Sequence, residues 1–368
     1  MFLLRRLASD MSETPTHQPL RGRGAVSNQS GRFEPTTRVA YDDGWHNEPL
    51  DSLPTTVMPD TARRVITYNK SPDLGFDRTI NPYRGCEHGC IYCYARPSHA
   101  YWGFSPGQDF ETKLFAKFDA ADVLRQELSN PRYKPDFVLL GANTDAYQPI
   151  EREHKITRKI VAELLRFQHP VGVVTKSALV IRDSDLWGAL AAEGLGHVTL
   201  SITTLDRKLA RTMEPRAATP GRRLDAIRAL SEAGVPVCVN VAPIIPGLTD
   251  HEIEPILEAA ADAGASEASY TLLRLPLEIK DLFREWLVSN YPDRAAKVES
   301  LVRQTRGGAL YRSRFGERMK GTGPYADQIR QRFALAAKRY NLTRRFQELR
   351  TDLFEVPAAP GQQLDLAL

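Results

Sequence analysis

The chain has 368 residues, 42% of them apolar and 26% charged, and a formal net charge of +4. These are the proportions of a globular protein in water, and no run of 18 or more apolar residues occurs, which excludes a transmembrane helix and any membrane role built on one. Four cysteines in this length exclude a disulfide framework; they fit a reducing cytoplasm, with thiols kept for chemistry or for metal.

The first residues, MFLLRRLASDMSETP, place apolar residues before the arginines, the reverse of a secretory signal. Met11 offers an alternative start. Residues 1–60 are rich in Pro, Gly, Ser, Thr and Arg and lack apolar periodicity. They read as a mostly disordered extension, or in part as a strap over the domain. From 61 to 275 the pattern changes. Short β-branched runs at 77–83, 136–142, 171–177, 197–203, 235–245 and 268–274 alternate with helical stretches at 120–128, 157–167, 183–193, 221–234 and 252–264. Ile160, Val161, Leu164 and Leu165 mark the apolar stripe of one such helix. Strands alternating with amphipathic helices imply βαβ units and a parallel sheet. Six repeats predict an α/β fold, a partial (β/α)6 TIM-like barrel, with a doubly wound sheet as the alternative. Residues 276–350 read as a helical, basic extension and 351–368 as a flexible tail. Within 301–350, 13 Arg or Lys face 3 acidic residues, which reads as a solvated surface or as a face for phosphates.

In either architecture chemistry gathers at the carboxyl ends of parallel strands. The stretch NPYRGCEHGCIYCYAR (81–96) follows the first strand. It holds Cys86, Cys90 and Cys93, three of the four cysteines, in the spacing C-x3-C-x2-C. Thiolates this close repel unless a cation holds them. Zinc would need a fourth ligand, for which His88 or His99 is available. A [4Fe–4S] cluster on three cysteines would leave one iron open for a substrate or cofactor. Cys238, inside VPVCVNV, reads as a small core residue.

The triplet with Tyr92 before its last cysteine resembles the radical S-adenosylmethionine (radical SAM) superfamily. NTDAYQPIE (143–151), VTKSALVIRD (174–183), SITTLD (201–206), MEPRAATP (213–220), APIIPGLTD (242–250) and RGGALY with RFGERMKGTGPY (306–325) extend the likeness to a bacterial subfamily grouped with spore photoproduct lyase and "DNA repair photolyase"-like proteins. The resemblance implies that Cys86, Cys90 and Cys93 hold a [4Fe–4S] cluster whose open iron chelates S-adenosylmethionine. One electron from an external reductant of flavodoxin or ferredoxin type would release a 5′-deoxyadenosyl radical that abstracts hydrogen from a substrate. It also implies cofactor contacts from Tyr92, Thr144, Lys176, Ser201, Ile244 and Ile245. Taken alone, Thr144 also reads as a helix cap, Lys176 as a surface lysine, and Ile244 and Ile245 as ordinary core. The lyase carries a hydrogen-donating cysteine three residues before the Asp of its second strand's turn; Ala142 stands there in this chain, so repair of thymine photoproducts does not carry over. Nucleic acid is the substrate class to which the family analogy and the basic segment point. The rival from a different class is a zinc-stabilised nucleic-acid-binding module without catalysis.

Overall fold

The computed structural model describes residues 21–37, 53–343 and 348–358. Six strands, β1 (Arg78–Ile80), β2 (Val138–Leu140), β3 (Val171–Thr175), β4 (Gly196–Ser201), β5 (Val237–Ile244) and β6 (Glu267–Leu272), form one parallel sheet. Each pairs with the next in sequence. The strand order never reverses, which is the order of a barrel wall and not of a doubly wound sheet. Among the described strands β1 and β6 do not pair; β1 is flanked instead by an antiparallel strand, Ile66–Tyr68. The barrel is therefore partial.

The helices between these strands, α1 (Ala120–Leu128), α2 (Ile156–Arg166), α3 (Ser184–Ala192), α4 (Pro220–Glu232) and α5 (Ile253–Asp262), cover the outside. In α2 the buried Ile156, Ile160, Val161 and Leu164 recur at helical spacing and meet the sheet. Along the strands the side chains alternate in direction. Val171, Val173, Val198, Leu200, Val237 and Val239 pack outward into the core under the helices. The alternate residues Thr199, Ser201, Asn240, Ser269 and Thr271 line a cavity. The inner face of the barrel thus carries hydroxyl and amide side chains at its carboxyl end, among apolar ones such as Leu139, Val174 and Pro243.

Three additions surround this frame. A small sheet of Thr56–Pro59, Lys113–Ala116 and Tyr83–Arg84 braces the start of the cysteine loop; its strands are too short for any periodicity to announce them. Residues 23–27 are buried, so expected disorder does not describe the segments 21–37 and 53–60. Lastly come α6 (Ile279–Asn290), α7 (Pro292–Gln304) and α8 (Pro324–Arg339). Helix α8 buries Ile329 and Phe333 in the barrel core, while α6 buries Phe283 and Trp286 in a second core with Ile91, Tyr92 and Met213. No helix among the described residues is long and apolar enough to cross a membrane.

The cations of the basic segment are largely engaged within the fold. Arg306 is buried and donates to the carbonyls of Leu272, Leu273, Glu317 and Arg318. Arg318 forks onto Asp73 at 2.6 and 2.7 Å. Lys320 donates to the Tyr270 carbonyl and stands over that ring; burial and the nearby Arg330 pull its pKa down to about 8. Arg332 forks onto Glu254. Arg312 and Arg314 are exposed, and Arg314 holds only Glu317, one turn on.

Candidate active site

The cysteine loop is held from behind. Arg96, with no exposed surface, donates to the carbonyls of Cys90 (2.9 Å), Gly89 (3.0 Å), Gly107 (2.9 Å) and Pro106 (3.2 Å), and pairs with Glu111 at 2.5 Å. Glu111 also accepts the backbone N–H groups of Gly24 and Ala25, both at 2.9 Å. A Cβ at Gly24 would lie 1.9 Å from the Gly89 carbonyl oxygen, so only glycine permits this approach. The loop's near side rests on residues 213–216: Ile91 N–H donates to Met213 O and Arg216 N–H to His88 O.

In front of the loop lies a cavity of about 410 Å³ at the carboxyl ends of the strands. Cys86, Cys90 and Cys93 border it together with His88, Tyr92, Tyr94, Thr144, Asp145, Lys176, Ser201, Pro243 and Arg274. Burial pushes all three thiols up. Asp145 adds to this at Cys86 and Glu214 at Cys90, while the Lys176 charge favours the thiolates of Cys90 and Cys93. Buried thiols that oppose one another's ionisation become thiolates only with a cation bound. This soft, clustered donor set fits an iron–sulfur cluster. Among the described residues, no three His, Cys, Asp or Glu side chains converge as the ligands of a single metal ion.

Two polar networks shape the cavity walls. Burial would raise the Asp145 pKa, but the His88 charge and hydrogen bond, with the Thr175 hydroxyl and Lys176 N–H, bring it down to about 2. Asp145 thereby fixes the end of β3 (2.7 and 2.8 Å) and lies 3.3 Å from His88 Nδ1. On the other side the buried Glu214 accepts from Tyr92, Thr203 and Arg223, and Arg223 also donates to the Ser201 carbonyl at 3.0 Å.

The structure brings most of the expected residues together. The Tyr92 phenol is fixed by Glu214, and Lys176 Nζ stands 5.7 Å from the centre of its ring. Ser201 borders the cavity from β4 and Lys176 from beyond β3. Thr144 also reaches it, but its hydroxyl donates to the Tyr83 carbonyl at 2.7 Å, so much of its role is to hold the loop. Ile244 and Ile245 are fully buried in two separate cores; the apolar wall from that segment is Ala242 and Pro243. His99 faces Phe104, Phe110 and Phe115, and burial lowers its pKa to about 4. With His88 beside Asp145, neither histidine joins the thiols. Cys238 is buried in β5, within reach of the Val239 carbonyl and the Ser269 hydroxyl. Asp145, Glu214, Arg223, Arg96 and Glu111 were not foreseen in these roles. Asp145, Glu214 and Arg96 lie within NTD, MEPRA and CYAR, while Glu111 and Arg223 lie outside these motifs; spacing alone does not pair them.

Comparison with known proteins bears on the family and the fold. A protein of Mycobacterium tuberculosis, itself uncharacterised, is 35% identical over 279 residues, 74% of this chain and 78% of the relative. An uncharacterised protein of Methanocaldococcus jannaschii is 28% identical over 232 residues, 63% of this chain and 82% of that one. Among solved structures, spore photoproduct lyase complexed with dinucleoside spore photoproduct superposes with a TM-score of 0.54 at 16% identity, over 77% of this chain and 79% of that one. A variant of the same lyase with bound AdoMet and dinucleoside spore photoproduct gives 0.53 over the same shares; at this identity the likeness speaks for the fold. The family model of the Radical SAM superfamily matches residues 80–260, from the end of β1 into α5 and across the whole cysteine loop. The chain belongs to the radical SAM superfamily, and its radical SAM domain supports an enzyme.

Proposed function

We propose that the chain cleaves S-adenosylmethionine reductively at a [4Fe–4S] cluster held by Cys86, Cys90 and Cys93. The observation that carries this reading is the placement of all three thiols and Lys176 on one cavity at the strand ends. When bound, the cluster supplies one electron to the sulfonium and the cofactor supplies the hydrogen-abstracting 5′-deoxyadenosyl radical. The protein's own part is orientation. Lys176 offers a cation for the cofactor carboxylate. Ser201, Thr199 and Asn240 present polar groups along the inner face. Ala242 and Pro243 give an apolar wall.

The test is anaerobic reconstitution followed by reduction with dithionite. Brown protein that forms methionine and 5′-deoxyadenosine supports the proposal. Colourless protein carrying zinc sinks it and returns the non-catalytic zinc module. Lys176→Ala is expected to weaken S-adenosylmethionine binding by about 1.5–3 kcal/mol, the worth of a hydrogen bond to a charged group. Titration of the loaded variant checks this, and unchanged affinity would remove Lys176 from the cofactor site.

For the substrate, nucleic acid has two supports. Arg274 stands in the cavity 4.9 Å from the Tyr94 ring, with no acidic partner among the described ion pairs. The solved lyase relative carries a dinucleoside photoproduct. Thymine photoproduct repair itself is disfavoured: Ala142 supplies no thiol, and Cys238 does not border the cavity. If the basic segment grips phosphates, Arg312 and Arg314 are exposed cations for it, engaged in the fold only with the Gly307 carbonyl and with Glu317. Arg312→Ser with Arg314→Ser should then flatten the salt dependence of duplex binding by up to about two log–log units. Binding without salt dependence in the parent protein would point to a small metabolite or protein substrate.

A further inference from the structure

A second hollow, of about 480 Å³, lies behind the cysteine loop and shares no lining residue with the cavity in front. Its walls are the helix Arg207–Met213 and the turn 214–219. Arg207, Lys208 and Arg211 line it and are exposed, and no ion pair is formed by any of them among the described residues. Arg222 stands exposed on the first turn of α4, and Arg216 adds a further cation, 3.0 Å from the buried Glu87. Two acidic residues adjoin them: Asp206, which caps the helix, and Glu214, which lines the hollow but is buried against Arg223.

Glu214 and Pro215, which line this hollow, belong to the segment 213–216 that supports the cysteine loop. Met213 O receives Ile91 N–H at 3.0 Å and His88 O receives Arg216 N–H at 3.3 Å. A Cβ at Gly89 would lie 3.2 Å from Pro215 Cγ. Glu214 reaches through to the Tyr92 phenol. A macromolecule bound here meets Pro215, the residue beside Gly89 of the cysteine loop, and none of the residues that line the cavity. A substrate seated there would be remote from the thiols' open side. An electron needs no such contact, since it crosses packed protein.

We propose that the face formed by Arg207, Lys208, Arg211 and Arg222 is the docking site of an acidic one-electron donor protein, which passes its electron to the cluster through Pro215 and the 88–91 backbone. This rests on the radical SAM reading above. One electron leaves the donor's reduced flavin or iron–sulfur centre, one is taken up by the cluster, and no atom is exchanged. Opposite charge on the two partners raises the encounter rate and fixes orientation, and it fades with salt.

The test uses the loaded protein, an acidic flavodoxin as donor, and the triple variant Arg207→Glu, Lys208→Glu, Arg211→Glu. All three side chains are exposed and outside the cavity, so folding and cofactor binding should persist. Two readouts are taken: flavodoxin affinity by calorimetry at low and high salt, and 5′-deoxyadenosine formed with flavodoxin or with dithionite. The expected result is flavodoxin affinity about tenfold or more weaker at low salt, a loss of its salt dependence, slower flavodoxin-driven turnover and unchanged dithionite-driven turnover. Equal affinity in parent and variant overturns the proposal. So does a variant that loses duplex DNA binding but keeps its flavodoxin affinity, since the face would then serve nucleic acid. A parent protein that forms no 5′-deoxyadenosine with dithionite refutes the reaction instead, and the affinity comparison still decides the docking face.

Discussion

Replacing Cys86, Cys90 or Cys93 singly with alanine is expected to strip almost all iron and acid-labile sulfide from the reconstituted protein, while Cys238→Ala retains the parent content. The first three thiols share one cavity wall and one loop. A cluster deprived of one of three protein thiolates has no fourth to fall back on. Cys238 lies in β5, and its neighbours are Val239 and Ser269 rather than the other cysteines. Iron and sulfide are counted per chain in all four variants. Loss in Cys238→Ala equal to that in the loop variants would mean four-cysteine ligation, and an iron left open for S-adenosylmethionine would be untenable.

The second large effect concerns Arg96→Met. The guanidinium is completely buried and meets four carbonyls and one carboxylate. Removing it leaves the Glu111 charge buried without its partner, a loss of about 3–5 kcal/mol. Denaturant unfolding of the metal-free variant should show this fall in stability. The double variant Arg96→Met, Glu111→Leu should recover only part of it, because Glu111 also receives Gly24 and Ala25. A loss below about 1 kcal/mol, the worth of one ordinary hydrogen bond, would mean that the loop holds its shape without Arg96.

The barrel was legible because its strands bury one face of β-branched, leucine or tyrosine residues and each covering helix carries an apolar stripe. The helix expected at 120–128 has those bounds in the structure, Ala120–Leu128, since its leucines at 124 and 128 stand one turn apart. Strand order could not be read, because pairing lies between residues distant in the chain. The cysteine site was legible from spacing within eight residues. What supports it was not: Arg96 meets Glu111 and Glu214 meets Tyr92 across a fold that must exist before the pairs do. The basic segment misled for a related reason. Net charge counts Arg306, Arg318 and Lys320 alongside Arg314, yet the first three are held by carbonyls or Asp73 and the last faces water.

The strap over the cysteine loop has a consequence for the order in which the protein is made. Gly24 and Ala25 find their acceptor 87 and 86 residues later, and Ser27 finds Glu285 a further 258 residues down the chain from itself. Residues synthesised before their partners must wait for them, so this segment leaves the ribosome early and is seated late. Gly24 and Ala25 can be seated once Glu111 has emerged, whereas Ser27 waits for Glu285. Closure of the strap is therefore tied to synthesis of the chain as far as α6, where Glu285 lies.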